Sequence, residues 1–216
     1  MKKQLLRFIL LLVTAMFVFT PFHADAEVST QTQDQRYSQS EAKLRFDLRK
    51  LWIDHTIWTR GYIVSSLAGL EDQDRVLVRL LKNQEDIGNA IKPYYGNDAG
   101  NKLAKLLKEH IILAGKVVEA AKSGNKASLD KYNKEWYKNA DDIAQFLSSA
   151  NPNWSKQKLK NLLYVHLQLV TDQAVARIKK DWTADILAFD KGEDHIIVLA
   201  DAITDGIVKQ FPNKFR

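Results

Sequence analysis

Apolar residues recur along this chain at three- and four-residue steps, the period of one helix face rather than the alternation of a strand. Leu44, Leu48, Leu51, Trp52 and His55 make one such set, and Leu77, Leu80, Leu81, Gln84 and Ile87 another. The pattern predicts six helices, at roughly 38–69, 72–92, 98–122, 126–149, 155–179 and 181–210. Turn residues separate them: Gly69-Leu70-Glu71-Asp72, Pro93-Tyr94-Tyr95-Gly96-Asn97, Ser123-Gly124-Asn125 and Asn151-Pro152-Asn153, with Ser155 placed to cap the helix that follows. Gly192 marks a point at which the last helix can kink.

Two N-terminal stretches depart from this period. Lys2, Lys3 and Arg7 precede an apolar run from Phe8 to Phe19 broken only by Thr14, and Ala24-Asp25-Ala26 follows with the small residues of a cleavage site. Such a run falls short of the roughly 20 residues that span a bilayer, so residues 1–26 are expected to be a secretory signal peptide. Residues 27–40 are mostly Ser, Thr, Gln and Asp, too polar to offset their ordering entropy, and predict a mobile leader. The expected domain is therefore 41–216, in a protein that is secreted or otherwise extracytoplasmic in the cell envelope.

An internal repeat shapes this domain. Leu48-Arg-Lys-Leu51-Trp52-Ile-Asp-His55, Leu103-Ala-Lys-Leu106-Leu107-Lys-Glu-His110 and Leu159-Lys-Asn-Leu162-Leu163-Tyr-Val-His166 share the pattern L-x-x-L-[LW]-x-x-H, with histidines 55 and 56 residues apart. A second pattern follows each histidine: Asn83-Gln-Glu-Asp86-Ile87, Asn139-Ala-Asp-Asp142-Ile143 and a degenerate Trp182-Thr-Ala-Asp185-Ile186. The expected fold is all-α, a six-helix bundle of three tandem αα-hairpins at about 41–96, 97–153 and 154–212.

Each histidine lies seven residues after its first leucine, on the stripe that faces the core. If the three hairpins share an axis, His55, His110 and His166 converge from three helices, with Asp86, Asp142 and Asp185 on their partners. Imidazoles and carboxylates of this kind ligate zinc, manganese, iron or copper, so these six residues are a candidate divalent-metal or small-ligand site. The alternative is a structural one, in which a buried His and Asp pair fixes helix register in each hairpin. His195 falls outside the three-unit register and reads as a fourth ligand or as a surface or capping residue. Arg60 is a candidate partner for Asp86, and the five tryptophans read as packing residues.

Composition narrows the choices further. No cysteine is present, which excludes disulfides, thiolate metal sites, cysteine nucleophiles and a lipid anchor on cysteine. Only 9 glycines and 4 prolines occur in 216 residues, fewer than a turn-rich β-sandwich needs. The net charge of +6 becomes +4 without the signal segment, and its local concentration is Lys102 to Lys138, nine lysines against four acids. That stretch is either a solvated face or a surface for an anionic envelope polymer or partner protein. Nucleic acid is not an expected partner of an exported chain without a reading motif. No glycine-rich phosphate loop, G-x-S-x-G elbow or H-E-x-x-H helix selects an enzymatic activity.

Leu51-Trp52-Ile-Asp-His55-Thr-Ile-Trp58-Thr59-Arg60, Ile91-Lys-Pro93-Tyr94-Tyr95-Gly96, Trp136-Tyr-Lys-Asn139-Ala-Asp-Asp142-Ile143 and Gly206-Ile-Val-Lys-Gln210-Phe211-Pro212 carry a family resemblance. Over roughly residues 45–212 the chain resembles an uncharacterised family of small helical bacterial proteins, some of them labelled acetylglutamate kinase or glycosyltransferase. The resemblance implies a helical fold and brings no catalytic residue with it.

Overall fold

The computed structural model of the protein describes residues 37–216, so the expected signal segment and the leader up to residue 36 lie outside the described residues. The described chain forms five helices, not the six expected: α1 (Gln39–Ala68), α2 (Gln73–Lys122), α3 (Lys126–Ala150), α4 (Lys156–Ile178) and α5 (Trp182–Gln210). A short 3-10 turn, Pro212–Lys214, follows, and no strand occurs among the described residues. None of these helices is long and apolar enough to cross a membrane.

The difference in helix number has one cause. The expected stop at Pro93 to Asn97 is not a loop; helical structure continues through it, and only Gly96 leaves helical geometry, at φ 82 and ψ 173. Pro93 removes one amide donor, and the left-handed φ of Gly96 is open to a residue without Cβ. The chain turns back at this corner. A Cβ built on Gly88 meets the Gly100 carbonyl oxygen at 2.5 Å, although twelve residues of uninterrupted helix span about 18 Å. The Glu85 and Lys108 side chains pair across the same crossing.

The remaining boundaries follow their local chemistry. Ser38 Oγ accepts the Glu41 amide, so α1 begins inside the polar leader. Asn125 Oδ1 accepts the Ser128 amide, Ser155 Oγ the Lys158 amide and Asp181 Oδ1 the Ala184 amide, one side-chain cap for each of the last three helices. At the end of α1, Gly69 adopts φ 67, which lets the Leu70 amide return to the Ser65 carbonyl.

Around the bundle, α1 packs on α2 and α5, α2 on α3, α3 on α4, and α4 on α5, so chain order is spatial order and the last helix closes on the first. Leu48, Trp52, Ile87, Leu103, Trp136, Ile143, Leu163 and Ile203 share one buried cluster drawn from every helix. The α1 and α5 seam carries ion pairs: Arg45, only 8% exposed, bonds Asp205 at 2.6 Å, and Arg49 grips Asp201 through Nε at 2.7 Å and Nη2 at 2.6 Å. At the corner end, the Trp154 indole donates to the Ala202 carbonyl at 3.1 Å and lies over Gly206, where a Cβ would enter the ring.

Candidate functional site

His55 on α1, His110 on α2 and His166 on α4 converge in the core, with 2%, 3% and 3% of their surface exposed. The ring centroids of His55 and His166 are 5.3 Å apart and those of His110 and His166 6.3 Å apart. The leucine stripe explains the convergence, because a histidine in phase with leucines goes where they go.

Two rings are held by amide side chains. His55 Nδ1 lies 3.3 Å from Gln84 Oε1, and His110 Nδ1 lies 2.8 Å from Asn139 Oδ1, both across 29 residues of sequence. Gln84 Nε2 is engaged with the Leu80 carbonyl at 2.8 Å and Asn83 Oδ1 at 3.0 Å, so its oxygen is the atom presented to His55. His55 therefore carries its hydrogen on Nδ1 and keeps Nε2 bare. In the same way Asn139 Nδ2 donates to the Leu106 carbonyl at 3.1 Å, its oxygen takes the His110 Nδ1 hydrogen, and the Trp136 indole donates to His110 Nε2 at 3.0 Å.

His55 Nε2 faces His166 Nε2 at 3.4 Å. With the His55 atom bare, the hydrogen between them belongs to His166 Nε2, and His166 Nδ1 is left as a lone pair. That nitrogen is buried and has no partner in the protein. Burial pushes all three rings toward the neutral form: His55 falls to about 3, with His110 adding to the effect, His110 falls to about 4, and His166 falls well below its ordinary value. Neutral imidazoles are the form that ligates metals and accepts hydrogen bonds.

The aspartates stand elsewhere, which corrects their expected role. Asp86 bonds Lys82 at 2.8 Å and Asp142 bonds Lys138 at 2.7 Å, each on its own helix and at least partly exposed to solvent. Asp185 is buried at 1% exposure, but its carboxylate is held by Arg60 at 2.9 and 3.1 Å and by Arg177 at 2.8 Å. Arg60 thus pairs with Asp185 rather than with Asp86. Among the described residues, no group of three or more His, Asp or Glu side chains is arranged to hold a metal ion.

His195 also corrects its reading. It stands 29 residues after His166, the interval that separates His55 from Gln84 and His110 from Asn139. Its Nε2 lies 2.8 Å from the Leu162 carbonyl, as Asn83 Nδ2 lies 3.0 Å from Leu51 O and Asn139 Nδ2 3.1 Å from Leu106 O. All three carbonyls belong to the residue four positions before a core histidine. Several lysines of the Lys102 to Lys138 stretch are engaged within the protein: Lys108 with Glu85, Lys138 with Asp142 and Lys122 with the Ser66 carbonyl. No family model, curated protein or solved structure matches the chain.

Proposed function

We propose that the chain is a non-catalytic binding protein of the cell envelope, exported by its N-terminal segment, whose interior histidine pair holds a divalent metal ion between His55 Nε2 and His166 Nε2, the His166 hydrogen passing to Nδ1 so that Nε2 is free to ligate. One observation carries this reading. Two ligands at about 2.1 Å from a tetrahedral ion are about 3.4 Å apart, and the two buried nitrogens are separated by 3.4 Å. That spacing is longer than an ordinary N–H hydrogen bond, whose heavy atoms sit about 2.9–3.0 Å apart. Anchoring of His55 Nδ1 by Gln84 supports it as well, since a metal-bound imidazole donates its other hydrogen to an oriented acceptor.

The third ligand in this reading is His110, which releases the Trp136 indole to turn its Nε2 toward the ion. Cobalt titration of the purified protein tests this. The expected result is one equivalent bound, the intense visible bands of tetrahedral cobalt, and a shifted Trp136 indole resonance. A spectrum unchanged from the aqueous ion, with metal content below stoichiometric and unaffected by His55→Asn, rejects it.

A second reading treats the cluster as a packing device in three tandem hairpin units. Its support is that both nitrogens of His55 and of His110 already have partners inside the protein, the two Nδ1 contacts falling on the recurring 29-residue interval. Under it the protein acts through its surface, with the lysine-rich stretch against an anionic polymer or a partner protein. Binding to such a polymer is expected to weaken steeply with salt.

A further inference from the structure

Three helices stop at the end of the bundle opposite the Gly96 corner, and all three stop in the same way. Gly69 after α1, Gly124 after α2 and Lys180 after α4 take left-handed φ values of 67, 68 and 59. The next amide returns to the helix each time: Leu70 to the Ser65 carbonyl at 2.9 Å, Asn125 to Ala120 at 3.0 Å and Asp181 to Ala176 at 2.9 Å. Glycine suits such a position because it has no Cβ to meet the following carbonyl. Lysine gives the turn nothing that glycine would not give better, so what position 180 retains is a side chain.

That side chain lines a groove of ≈ 370 Å³ with Lys122, Arg177, Leu67, Ile178 and Trp182. The volume lies in the range of about 300–1,000 Å³ that small ligands occupy. No acidic side chain lines the groove, and its cations are not balanced from behind. Lys122 is held on the Ser66 carbonyl at 2.7 Å, a neutral group, and Arg177 shares the one carboxylate of Asp185 with Arg60. Lys180 makes no ion pair among the described residues, and the adjacent acid, Asp181, is turned to the Ala184 amide at 3.0 Å. The opposite side of the groove is apolar and open to water: Trp182 is 53% exposed and Ile178 41%. The Arg177 guanidinium stands 5.4 Å from the Trp182 ring centroid, which joins the charged and the aromatic sides.

We propose that this groove binds a small amphiphilic anion, a carboxylate on an aromatic or alkyl body, with the carboxylate toward Lys180 and Lys122 and the body on Trp182, Ile178 and Leu67. An inorganic anion leaves the apolar side uncovered, and a neutral apolar molecule leaves the cations without a counter-charge. An anionic membrane surface fits less well, because Glu71, Asp72 and Asp74 follow the α1 turn at the same end of the bundle and would face it. The site does not rest on the metal reading, since Ile178 stands twelve residues beyond His166, about 18 Å along α4.

The test uses 2-naphthoate and 2-naphthylmethanol, which share a ring system and differ in charge. Titrated into the purified protein, 2-naphthoate is expected to shift the Trp182 indole N–H resonance, assigned by its loss in Trp182→Phe, saturably and less strongly as salt rises. The alcohol should bind about tenfold more weakly. Lys180→Gly is expected to leave Tm unchanged or raise it while weakening 2-naphthoate about fivefold, and Lys180→Arg to keep affinity within about twofold. A Tm that falls in Lys180→Gly with affinity unchanged assigns the lysine to the end of α4 and overturns the proposal. Equal affinity for the two probes overturns it as well. So does binding to phosphatidylglycerol vesicles with no saturable response to 2-naphthoate, since the face is then a membrane contact.

Discussion

Asn139 serves His110 at both ends of its amide: Oδ1 receives the His110 Nδ1 hydrogen at 2.8 Å, and Nδ2 returns to the Leu106 carbonyl one turn earlier at 3.1 Å. One residue therefore sets both the ring's orientation and the hydrogen it carries. Asn139→Ala strands a buried imidazole N–H and opens a small void, for an expected loss of about 2–3 kcal/mol. Asp142→Ala, three residues further along the same helix, breaks an exposed pair and is expected to cost less than about 0.5 kcal/mol. Urea unfolding of the two variants checks the contrast, and equal losses would deny Asn139 its role.

The core histidines predict how stability depends on acid. Their folded values lie below the ordinary imidazole value, at about 3 for His55 and about 4 for His110, with His166 also well below. The unfolded chain therefore binds protons that the folded chain refuses in the window between those values and about 6.5. Stability is full above that window and falls as pH drops through it. Each ring contributes about a tenfold fall in the folding constant per pH unit. Unfolding near pH 5 should be accompanied by an uptake of close to three protons, measurable from urea midpoints at a series of pH values. A midpoint that does not move between pH 7.5 and 5 contradicts the buried, neutral cluster.

Asp185 joins α1, α4 and α5 through two guanidinium groups. Replacing it with Asn leaves Arg60 and Arg177 facing each other without a counter-charge. Both arginines keep part of their side chain in water, at 23% and 20%, so the loss should sit at the low end for a broken buried pair, about 2–3 kcal/mol. Thermal unfolding in 0.1 M and 0.5 M salt reads it; a Tm unchanged by Asp185→Asn would show that the carboxylate bears no structural weight.

Two glycines should respond oppositely to the same substitution. Gly88→Ala drives a methyl group into the Gly100 carbonyl at 2.5 Å and the Ala104 Cβ at 2.8 Å, both fixed by backbone, and should cost about 2–3 kcal/mol. Gly192→Ala meets nothing within 4 Å and removes a glycine from a helix interior, which should raise stability by about 1 kcal/mol. Paired melting curves decide this.

Much of this architecture is legible in the residues. The stripe of Leu48, Trp52 and His55 places the first histidine inward, and the Ser155 cap falls where the chain calls for one. The polar partners are harder to read because Asn139 and Asp142, like Asn83 and Asp86, are three residues apart. Three residues turn a helix through about 300°, which leaves the later side chain about 60° off the earlier one's direction. That is enough to carry the acids out to Lys82 and Lys138 while the amides stay inside. A constant interval of 29 residues from each core histidine to Gln84, Asn139 and His195 is the signal that identifies them, and matching by residue type alone passes over it. The hollow beside His166 has no trace in the sequence, since it depends on how Thr59 and Gln173 come to line it from two different helices.

The corner at Gly96 has a consequence for the core that its distance from the histidines conceals. A loop of several residues would absorb an insertion, but here helix runs up to a single non-helical residue and resumes at once. The limb that follows therefore takes its rotational phase directly from the corner. One residue added between Gly100 and Leu103, with Gly100 held at its crossing on Gly88, turns His110 by about 100° about the limb's axis. The ring then points away from His166 and toward a neighbouring helix or solvent. A single glycine at one end of the bundle thus acts as the indexing mark for the polar interior some fourteen residues away, and the length of that segment is as much a part of the site as the histidine itself.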